Sequence, residues 1–540
     1  MGGLNMGKVL NTIFLLISLT SFGQKMQEEN VFVHVSKNIT LVNETVWFQI
    51  YLIQDELVPL SKFAYCELVD RNNQAVHQII IPLQEGKAEG HMDIPNHLES
   101  DHYILRFYTR ISPLINKNGQ GVFSKFITII NPKKPPIQNS LTQKVSKYAF
   151  KKPGDYPMLS SEKGLTTNSE IEIPLIKEKA TVSVSIINPF LPESFYGFAG
   201  QEIYQKLSEN SLVIPELYGH IVHAKNLNPE IDTTETFFLS AHGKQSVLNS
   251  SKPNLQGDMY FELGPLKEYK FLIAQSLESE KQLNFSPQSP FLPLEFKEDF
   301  VFPELILNEN DREFIEDLII SAQVNTYFYG QEDLVSIPII TGFVADRTYL
   351  LDDYTRFEDM ETTLREYVPE VMVRKQSKKT LYKVLNSPLN AIFQENPLIL
   401  IDAMPVFDTD ALARFDPKGI MKLEVLTREF SFNQDKFAGV ISFTSFENDF
   451  GKFELPTNAL YLDYWTIISP KKLISANINP NIGKTNYPDF RTNLFWDTSV
   501  TGDKMKIISS EIKGKYELLI SYTTEGGETS FNRAVFKVEN

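Results

Sequence analysis

Residues 45–52 read Thr45-Val46-Trp47-Phe48-Gln49-Ile50-Tyr51-Leu52, a run of β-branched and aromatic side chains with no glycine or proline. Such side chains are enriched in strands because they fit the pleated surface of a sheet. Three similar runs lie nearby, with asparagine and glycine turn residues between them: residues 31–35, 103–108 and 125–130. Short strands at this spacing predict a β-sandwich over residues 28–132.

The composition is that of an ordinary globular protein rich in β-structure. Of the 540 residues, 42% are apolar and 22% are charged, and the 39 Phe and 22 Tyr favour strands. At about 100–150 residues per domain, the length allows roughly three to five domains. The formal net charge of −16 argues against nucleic-acid binding, because an acidic surface repels the phosphate backbone.

The remaining sequence divides into further units. Pro132-Lys133-Lys134-Pro135-Pro136 ends the first unit, and prolines and polar residues after it predict a linker. The predicted segments are a linker over 133–168, β units over 169–213 and 214–300, a helix with connecting strands over 301–354, an α+β domain over 355–450 and a β domain over 451–540. The predicted fold class is therefore mostly β, with several tandem β-sandwich domains and one small α+β domain.

Three stretches have helical periodicity. Phe314 and Leu318, like Ile315 and Ile319, repeat at i, i+4 and predict a helix over 308–324, with Asn308 or Asn310 as its cap. Two further helices are predicted over 357–367 and 408–416. Either Asp408 or Asp410 is expected to cap the last one.

The α+β domain also has clear strand patterns. Residues 371–375 and 380–385 predict a hairpin. Residues 398–401, 423–426 and 440–444 predict the strands of one sheet, on which the helices over 357–367 and 408–416 pack.

The beginning of the sequence has the pattern of an export signal. Lys8 precedes an apolar run over residues 9–22, and Gly23 before Gln24 is typical of a cleavage site. The run is shorter than the about 20 residues that span a bilayer, so a signal peptide over 1–24 is predicted. The alternative is a buried N-terminal helix, and translation starts at either Met1 or Met6. No later segment is long and apolar enough to predict a membrane helix.

Cys66 is the one cysteine, so no intramolecular disulfide is possible. It stands in the apolar run Phe63-Ala64-Tyr65-Cys66, which predicts a buried strand thiol and not a catalytic or lipidated one.

Familiar catalytic motifs are missing. The sequence has no Gly-x-Ser-x-Gly elbow, no phosphate loop and no His-Glu-x-x-His. His97 and His102 flank an acidic turn, and because their spacing fits neither a helix face nor a strand face, we expect a solvated turn and not a metal pair. Asp408-Thr409-Asp410 is too short for a calcium loop. The chain is therefore predicted not to be an enzyme and to bind no metal or cofactor.

Three stretches resemble the large macroglobulin-like, plug-containing envelope proteins of the Bacteroidota. Residues 29–34 with 43–48 look like the second macroglobulin-type domain. Residues 397–406, 420–426 and 439–443 are similar to the plug domain of TonB-dependent transporters, and 488–496 resemble the family's C-terminal macroglobulin-like domain. Residues 217–263 also resemble its carboxypeptidase-regulatory-like insert.

The chain departs from the family pattern at two turns. Asn43-Glu44-Thr45 stands where the family usually has Gly-Glu-Thr, and since Asn tolerates positive φ best after Gly, the turn is expected to survive. Asp402-Ala403 stands where the family usually has Asp-Gly, and the Gly-rich segment before the last plug strand is missing, which argues against plug-type ligand gating.

Two further features limit which of the family's functions this chain is expected to have. Cys66 is followed by Glu67-Leu68 and not by the Gly-Glu-Gln of a thioester, so covalent trapping of a target is not expected. The sequence after Phe446 is too short for a transporter barrel, whose strands take about 9–11 residues each. A plug-like domain without a pore of its own is therefore expected.

The resemblance implies a non-enzymatic, exported protein of the outer-membrane envelope, in the periplasm or at the cell surface. Its expected role is an adaptor or accessory subunit that binds an outer-membrane transporter or a protein translocation or assembly complex, with strand edges available to partners. The alternatives are an envelope hydrolase and a surface-secreted binding protein with a C-terminal sorting domain.

Partner contacts are predicted within residues 355–450. Phe407, Arg414 and Arg428 are expected to be exposed there, and aromatic and Arg side chains are typical interface anchors. The alternative is that this domain is a rigid spacer and that Phe407 packs under its own loop.

Overall fold

The computed structural model of the chain describes residues 28–54, 61–136, 147–148, 150–156, 165–176, 178–208, 213–243, 245–265, 269–277, 283–333, 344–465, 467–468, 471–475, 488–524 and 529–539. The predicted signal peptide over 1–24 lies outside the described residues, as does part of the predicted linker over 133–168.

Strands in the N-terminal part of the chain are β1 (Asn30–Val35), β2 (Ile39–Leu41), β3 (Thr45–Ile53), β4 (Phe63–Val69), β5 (Ala75–Pro82), β6 (Lys87–Asp93), β7 (Asp101–Tyr108) and β8 (Val122–Ile130), with helix α1 (Ser112–Ile115) before β8. They are followed by β9 (Gly154–Asp155), β10 (Leu165–Thr166), β11 (Glu170–Pro174), β12 (Ala180–Ile186), β13 (Ile221–Asn226), β14 (Phe237–His242), β15 (Val247–Ser251), β16 (Asp258–Glu262), β17 (Phe271–Ser276) and β18 (Phe285–Pro287).

The second half contains α2 (Arg312–Phe328), β19 (Tyr329–Asp333), β20 (Arg347–Leu350), α3 (Met360–Tyr367), β21 (Val371–Gln376), β22 (Lys379–Asn386), β23 (Ala391–Ile392), β24 (Leu398–Ile401), β25 (Met404–Pro405), α4 (Thr409–Arg414), β26 (Ile420–Leu426), β27 (Phe430–Phe432), β28 (Asp435–Phe437) and β29 (Val440–Ser445). The last strands are β30 (Leu460–Leu462), β31 (Lys471–Ser475), β32 (Asn493–Val500), β33 (Lys504–Ile508), β34 (Gly514–Thr523) and β35 (Thr529–Glu539). Short 3-10 helices occur at Glu193–Phe195, Gln201–Ile203, Glu309–Asp311, Leu351–Asp353, Ser387–Leu389, Pro417–Gly419 and Phe450–Lys452.

Strands β1 to β8 form the first sandwich. One sheet has the order β1-β3-β6 and the other the order β2-β8-β7-β4-β5. Side chains of both sheets, such as Val46 and Ile50 opposite Leu68 and Leu105, meet in one core. Cys66 belongs to this core and is fully buried on β4, which confirms the predicted strand thiol.

Strand β4 is buried on both faces. Ala64 and Cys66 point into the core of the first sandwich. Phe63 and Tyr65 alternate with them and point into a second core shared with residues from 195 to 302. Because side chains alternate across a strand, a continuous apolar run can satisfy two cores at once.

Strands β13 to β18 form the middle sandwich. Its sheets have the orders β16-β13-β18 and β15-β14-β17-β30. Strand β30 comes from a much later part of the chain and pairs Leu462 with Leu272 of β17.

The C-terminal sandwich combines two distant parts of the chain. One of its sheets has the order β10-β35-β34-β12-β32, and the other pairs β11 with β33. Residues 169–213 and 451–540, which the sequence patterns divide into separate units, therefore contribute to the same sheets. Helix α2 packs on this sandwich through Leu318 and its apolar neighbours.

The α+β unit, residues 344–453, has a five-stranded sheet of order β20-β26-β29-β24-β25 and a second sheet of order β21-β22-β23. The three strands predicted to share a sheet do so, and the predicted hairpin is formed by β21 and β22. Helices α3 and α4 cover one face of the larger sheet, with Leu364 and Leu412 fully buried beside Leu423.

The chain is mostly β, with 45% strand and 12% helix, which confirms the predicted fold class. The predicted caps are also present: Asn308 forms a capping box with Asp311, and the Asp408 carboxylate accepts from the Ala411 N–H at 2.9 Å. The expectation of a solvated turn at His97 and His102 is wrong in part. His97 is exposed, but His102 is buried at the start of β7, with Nδ1 2.7 Å from the Thr128 hydroxyl, because β7 begins inside the predicted turn.

Candidate functional site

Four aromatic rings of the α+β unit touch one another and form what we call the aromatic face: Tyr349, Tyr354, Phe357 and Tyr367. Ring centroids are 6.3 Å apart for Tyr349 and Tyr354, 4.7 Å for Tyr354 and Tyr367, and 5.4 Å for Phe357 and Tyr367. Tyr354 is 37% exposed, and the other three are half-buried. Aromatic clusters of this kind supply a large contact area at low conformational cost.

Helix α3 orients one side of the aromatic face. The Asp359 carboxylate accepts from the Thr362 N–H at 2.7 Å and starts the helix. Met360 and Leu364 point into the core, one turn apart. The Tyr367 hydroxyl donates to the Thr355 carbonyl at 3.0 Å, which ties the end of the helix to the loop before it.

Tyr349 is the residue of the aromatic face that lies on strand β20. Its hydroxyl donates to the Glu370 carboxylate, whose other oxygen accepts from Arg347 Nε at 3.1 Å. Partial burial and the Glu370 charge raise the pKa of Tyr349 well above its usual value, so the phenol remains a hydrogen-bond donor.

Arg356 anchors the loop between β20 and α3. Its guanidinium donates to the carbonyls of Pro417 at 2.7 Å and Ile420 at 2.9 Å, and to the Asp352 carboxylate at 2.5 Å. It also lies 5.6 Å from the ring centroid of Phe446, which is 44% exposed. A loop fixed by this many contacts presents Tyr354 in a defined position.

Carboxylates are numerous in the segment that carries the aromatic face. Between residues 349 and 370 the sequence has seven carboxylates and two arginines. Four of the carboxylates are exposed: Asp352, Asp353, Glu358 and Glu366. Carboxylates therefore outnumber the arginines of this segment, although Asp352, Glu361 and Glu370 form ion pairs. A cationic surface would be the electrostatic complement of the unpaired ones.

Strand β20 forms the edge of the larger sheet. Arg347 pairs with Val425 of β26 and Leu350 with Lys422, and within the described ranges no strand pairs with the other edge. Leu350 is 49% exposed and Val344 is 81% exposed. An open edge with exposed apolar side chains beside it can accept a strand from another chain.

The three predicted partner contacts differ in their exposure and in their neighbours. Phe407 is half-buried, with its ring centroid 5.9 Å from that of Phe238 on β14, so the expected exposure is wrong because the middle sandwich covers it. Arg414 is exposed at the end of α4 and lines a cavity of about 620 Å³. Arg428 is exposed beside β20 and forms an ion pair with Asp346.

The aromatic face itself is not among the predicted contacts. Tyr367 belongs to the helical stripe of Met360 and Leu364, and that periodicity indicates a core position for it. The sequence signal that points outward is the neighbouring Asp352-Asp353-Tyr354, where an aromatic residue follows two carboxylates.

Catalytic or metal-binding arrangements can be assessed for the described part of the chain. It contains no group of three or more His, Cys, Asp and Glu side chains that could hold a metal ion. His34 lies 2.7 Å from the Ser521 hydroxyl and 2.8 Å from that of Ser183, which resembles a base beside a nucleophile. All three side chains are buried between two sandwiches, so a substrate has no access to them.

None of the helices that the structure describes combines the length and apolar character needed to cross a membrane. No family model matches the sequence, and no curated protein matches it.

Several solved structures are similar to this chain at low identity. Alpha-2-macroglobulin from Salmonella, reacted with methylamine, is 8% identical over 95% of this chain and 24% of its own, with a TM-score of 0.16. Trypsin-activated alpha-2-macroglobulin from Escherichia coli is 9% identical over 96% of this chain and 24% of its own, with a TM-score of 0.16. A CARDB domain from Pyrococcus furiosus, in complex with di-metal ions, is 8% identical over 20% of this chain and 96% of its own, with a TM-score of 0.15. The chain spans about a quarter of the length of these macroglobulins. Similarity at this level assigns the chain to no family.

Proposed function

We propose that this chain is a non-enzymatic, exported adaptor of the cell envelope that binds an outer-membrane partner protein through the aromatic face of its α+β unit. The partner is a transporter or a translocation or assembly complex, and its contacting segment is basic. The apolar run over residues 9–22 and the resemblance to macroglobulin-like envelope proteins support export and location.

The observation that carries the proposal is the aromatic face together with the exposed carboxylates of the same segment. Tyr354 stands at its centre, in ring contact with Tyr349 and Tyr367, and is accessible to a partner. Lys or Arg side chains of a partner would be attracted both to the exposed carboxylates and to the faces of these rings. The open edge of β20 lies beside them and offers backbone groups to the same segment.

Arg414 and Arg428 are both exposed and are proposed as secondary contacts for acidic side chains outside the partner's basic segment. Arg428 lies close to the edge strand through its ion pair with Asp346. Phe407 lies outside the proposed surface, because its ring packs against Phe238.

The test is a pull-down of affinity-tagged protein from gently solubilised outer membranes. Tyr354→Ala combined with Phe357→Ala should remove the partner, because truncation of aromatic anchors costs about 2 kcal/mol or more, which is about thirtyfold in affinity. Raising the salt concentration should weaken the same interaction, since the contact is charged.

The matched control is Tyr461→Ala, which removes a tyrosine that is 52% exposed on β30. It should leave every co-purifying protein in place. The proposal fails if the Tyr354 and Phe357 double variant, shown by circular dichroism to be folded, retains all partners.

A further inference from the structure

A second surface, remote in sequence from the aromatic face, is a cleft where three sandwiches meet. We call it the junction cleft. It has a volume of about 1050 Å³ and is lined by residues of β3 to β6, by Lys179, Thr498, Ser499 and Thr523 of the C-terminal sandwich, and by Tyr218 and Pro265 beside the middle sandwich. Ligand sites occur preferentially at such domain junctions, and the volume is just above the usual range of about 300–1,000 Å³.

Tyr218 is the prominent side chain of the cleft. It is 76% exposed, whereas Glu216 and His220 on either side of it are 2% and 0% exposed. The Glu216 carboxylate accepts from the Tyr65 hydroxyl at 2.8 Å and from the Ile221 N–H at 3.0 Å, and it lies 2.8 Å from His220 Nδ1. The turn that carries Tyr218 is therefore fastened at both ends by buried contacts.

The charges near Glu216 favour its ionised form, which accepts these hydrogen bonds. Burial by itself raises the pKa of Glu216, but the charges and hydrogen bonds of His220 and Arg110 outweigh it and lower the pKa below its usual value. Glu216 therefore remains a carboxylate and keeps its hydrogen bonds at neutral pH.

Gly219 allows the turn to pack closely on its neighbour. A Cβ at this position would lie 2.2 Å from the carbonyl oxygen of Gly264, so only glycine permits the contact. Pro265 follows Gly264 and also lines the cleft. The two turns thus support each other, so the backbone at Tyr218 needs little ordering when a ligand binds.

The charged lining has an excess of cations although the chain has a net charge of −16. Lys62, Lys87 and Lys179 line the cleft together with Glu85 and Glu89. Over the described ranges, none of the three lysines forms an ion pair with a carboxylate, whereas Glu89 accepts from the Thr498 hydroxyl at 2.9 Å. Lys87 Nζ lies 5.9 Å from the ring centroid of Tyr51.

We propose that the junction cleft binds an acidic polypeptide segment that also carries apolar side chains. Carboxylates of the segment pair with the three lysines, and Tyr218 packs on its backbone or apolar side chains. The wall formed by Pro82, Leu83 and Pro265 is apolar, and this favours a peptide over an anionic polysaccharide, which has no apolar side chains to cover it. This binding is additional to that of the aromatic face and does not depend on it.

The test measures fluorescence anisotropy of a labelled peptide of alternating Glu and Leu with the full-length mature protein. We expect binding that weakens as salt rises. Combined Lys62→Gln, Lys87→Gln and Lys179→Gln should weaken it by about tenfold or more, and Tyr218→Ala should do so by about tenfold, which corresponds to a typical interface anchor.

The control for charge is Lys378→Gln, Lys379→Gln and Lys515→Gln, three exposed lysines outside the cleft, which should leave binding unchanged. A peptide with Gln in place of Glu should bind weakly or not at all. The proposal is overturned if the cleft lysine variant binds as tightly as the wild type, or if the Gln peptide binds equally well. It is also overturned if polygalacturonate binds at the cleft lysines and the Glu-Leu peptide does not.

Discussion

At the residue scale, the turn between β24 and β25 contains backbone strain. Asp402 has φ 48° and Ala403 has φ 67°, and Ile401 pairs with Met404 across the turn. Two-residue hairpins of this kind prefer Gly at the second position, because a Cβ is strained at positive φ. Asp402 offsets part of the strain, since its carboxylate accepts from the N–H groups of Ser445 and Phe450, each at 2.8 Å.

Ala403→Gly should therefore stabilise the protein. We expect the free energy of unfolding to rise by about 1 kcal/mol, because Gly adopts this conformation without steric strain. Urea denaturation measures the change. The matched control is Ala411→Gly in helix α4, which should lower stability by about 1 kcal/mol because Gly is a poor helix former. A loss of stability in Ala403→Gly would contradict the strain argument.

At the element scale, one buried ion pair fastens the beginning of β32. The Arg491 guanidinium donates to the Asp489 carboxylate at 2.7 and 2.6 Å, and also to the carbonyls of Leu494 at 3.0 Å and Ile508 at 3.1 Å. Both side chains are at most 1% exposed. Through these hydrogen bonds Arg491 connects Leu494 of β32 with Ile508 of β33. Because β32 and β33 belong to different sheets, the ion pair links the two sheets of the C-terminal sandwich.

Asp489→Ala should be strongly destabilising. It leaves the Arg491 charge buried without its partner, which costs about 3–5 kcal/mol. Thermal unfolding followed by circular dichroism measures the effect. The matched control is Glu172→Ala, which breaks the exposed pair of Glu172 with Lys504 and should cost about 0–1 kcal/mol. Equal effects of the two substitutions would show that the buried pair is not an anchor.

At the scale of the whole molecule, histidines lie buried where units meet. His34 joins the first sandwich to Ser183 and Ser521 of the C-terminal sandwich, and burial together with the Lys125 charge lowers its pKa. His242 lies in the middle sandwich, with its ring centroid 4.8 Å from that of Phe450 in the α+β unit. Burial lowers the pKa of His242 to about 3. Both imidazoles are therefore neutral in the folded protein at neutral pH.

The protein should lose stability as pH falls below about 6.5. The unfolded chain binds a proton at His242 near its ordinary pKa, while the folded chain does not until about pH 3. Between these values the free energy of unfolding falls by about 1.4 kcal/mol per pH unit for such a group. Urea denaturation at pH 7 and pH 5 should show that His242→Gln has a smaller loss than the wild type. His97→Gln, at an exposed position, should behave like the wild type. An unchanged loss in His242→Gln would rule out this histidine as the cause.

Local sequence determined which segments are strands or helices. The β-branched and aromatic run at 45–52, with the similar runs near it, predicts strands, and the i, i+4 stripe of α2 predicts a helix. The conformation of at least one turn also follows from its local sequence. Asn43 stands at a turn position that favours positive φ, and its φ is 66°.

Only the tertiary structure decided which segments are neighbours and which side chains stay exposed. Strand β12 pairs with β32 and β34, more than 300 residues later, and no local pattern encodes that choice. Phe407 is covered by Phe238 from another unit, whereas Tyr218 is exposed between Glu216 and His220, which are both buried. The aromatic face and the junction cleft arise in the same way, since each depends on non-local contacts that exist only after the sheets have formed.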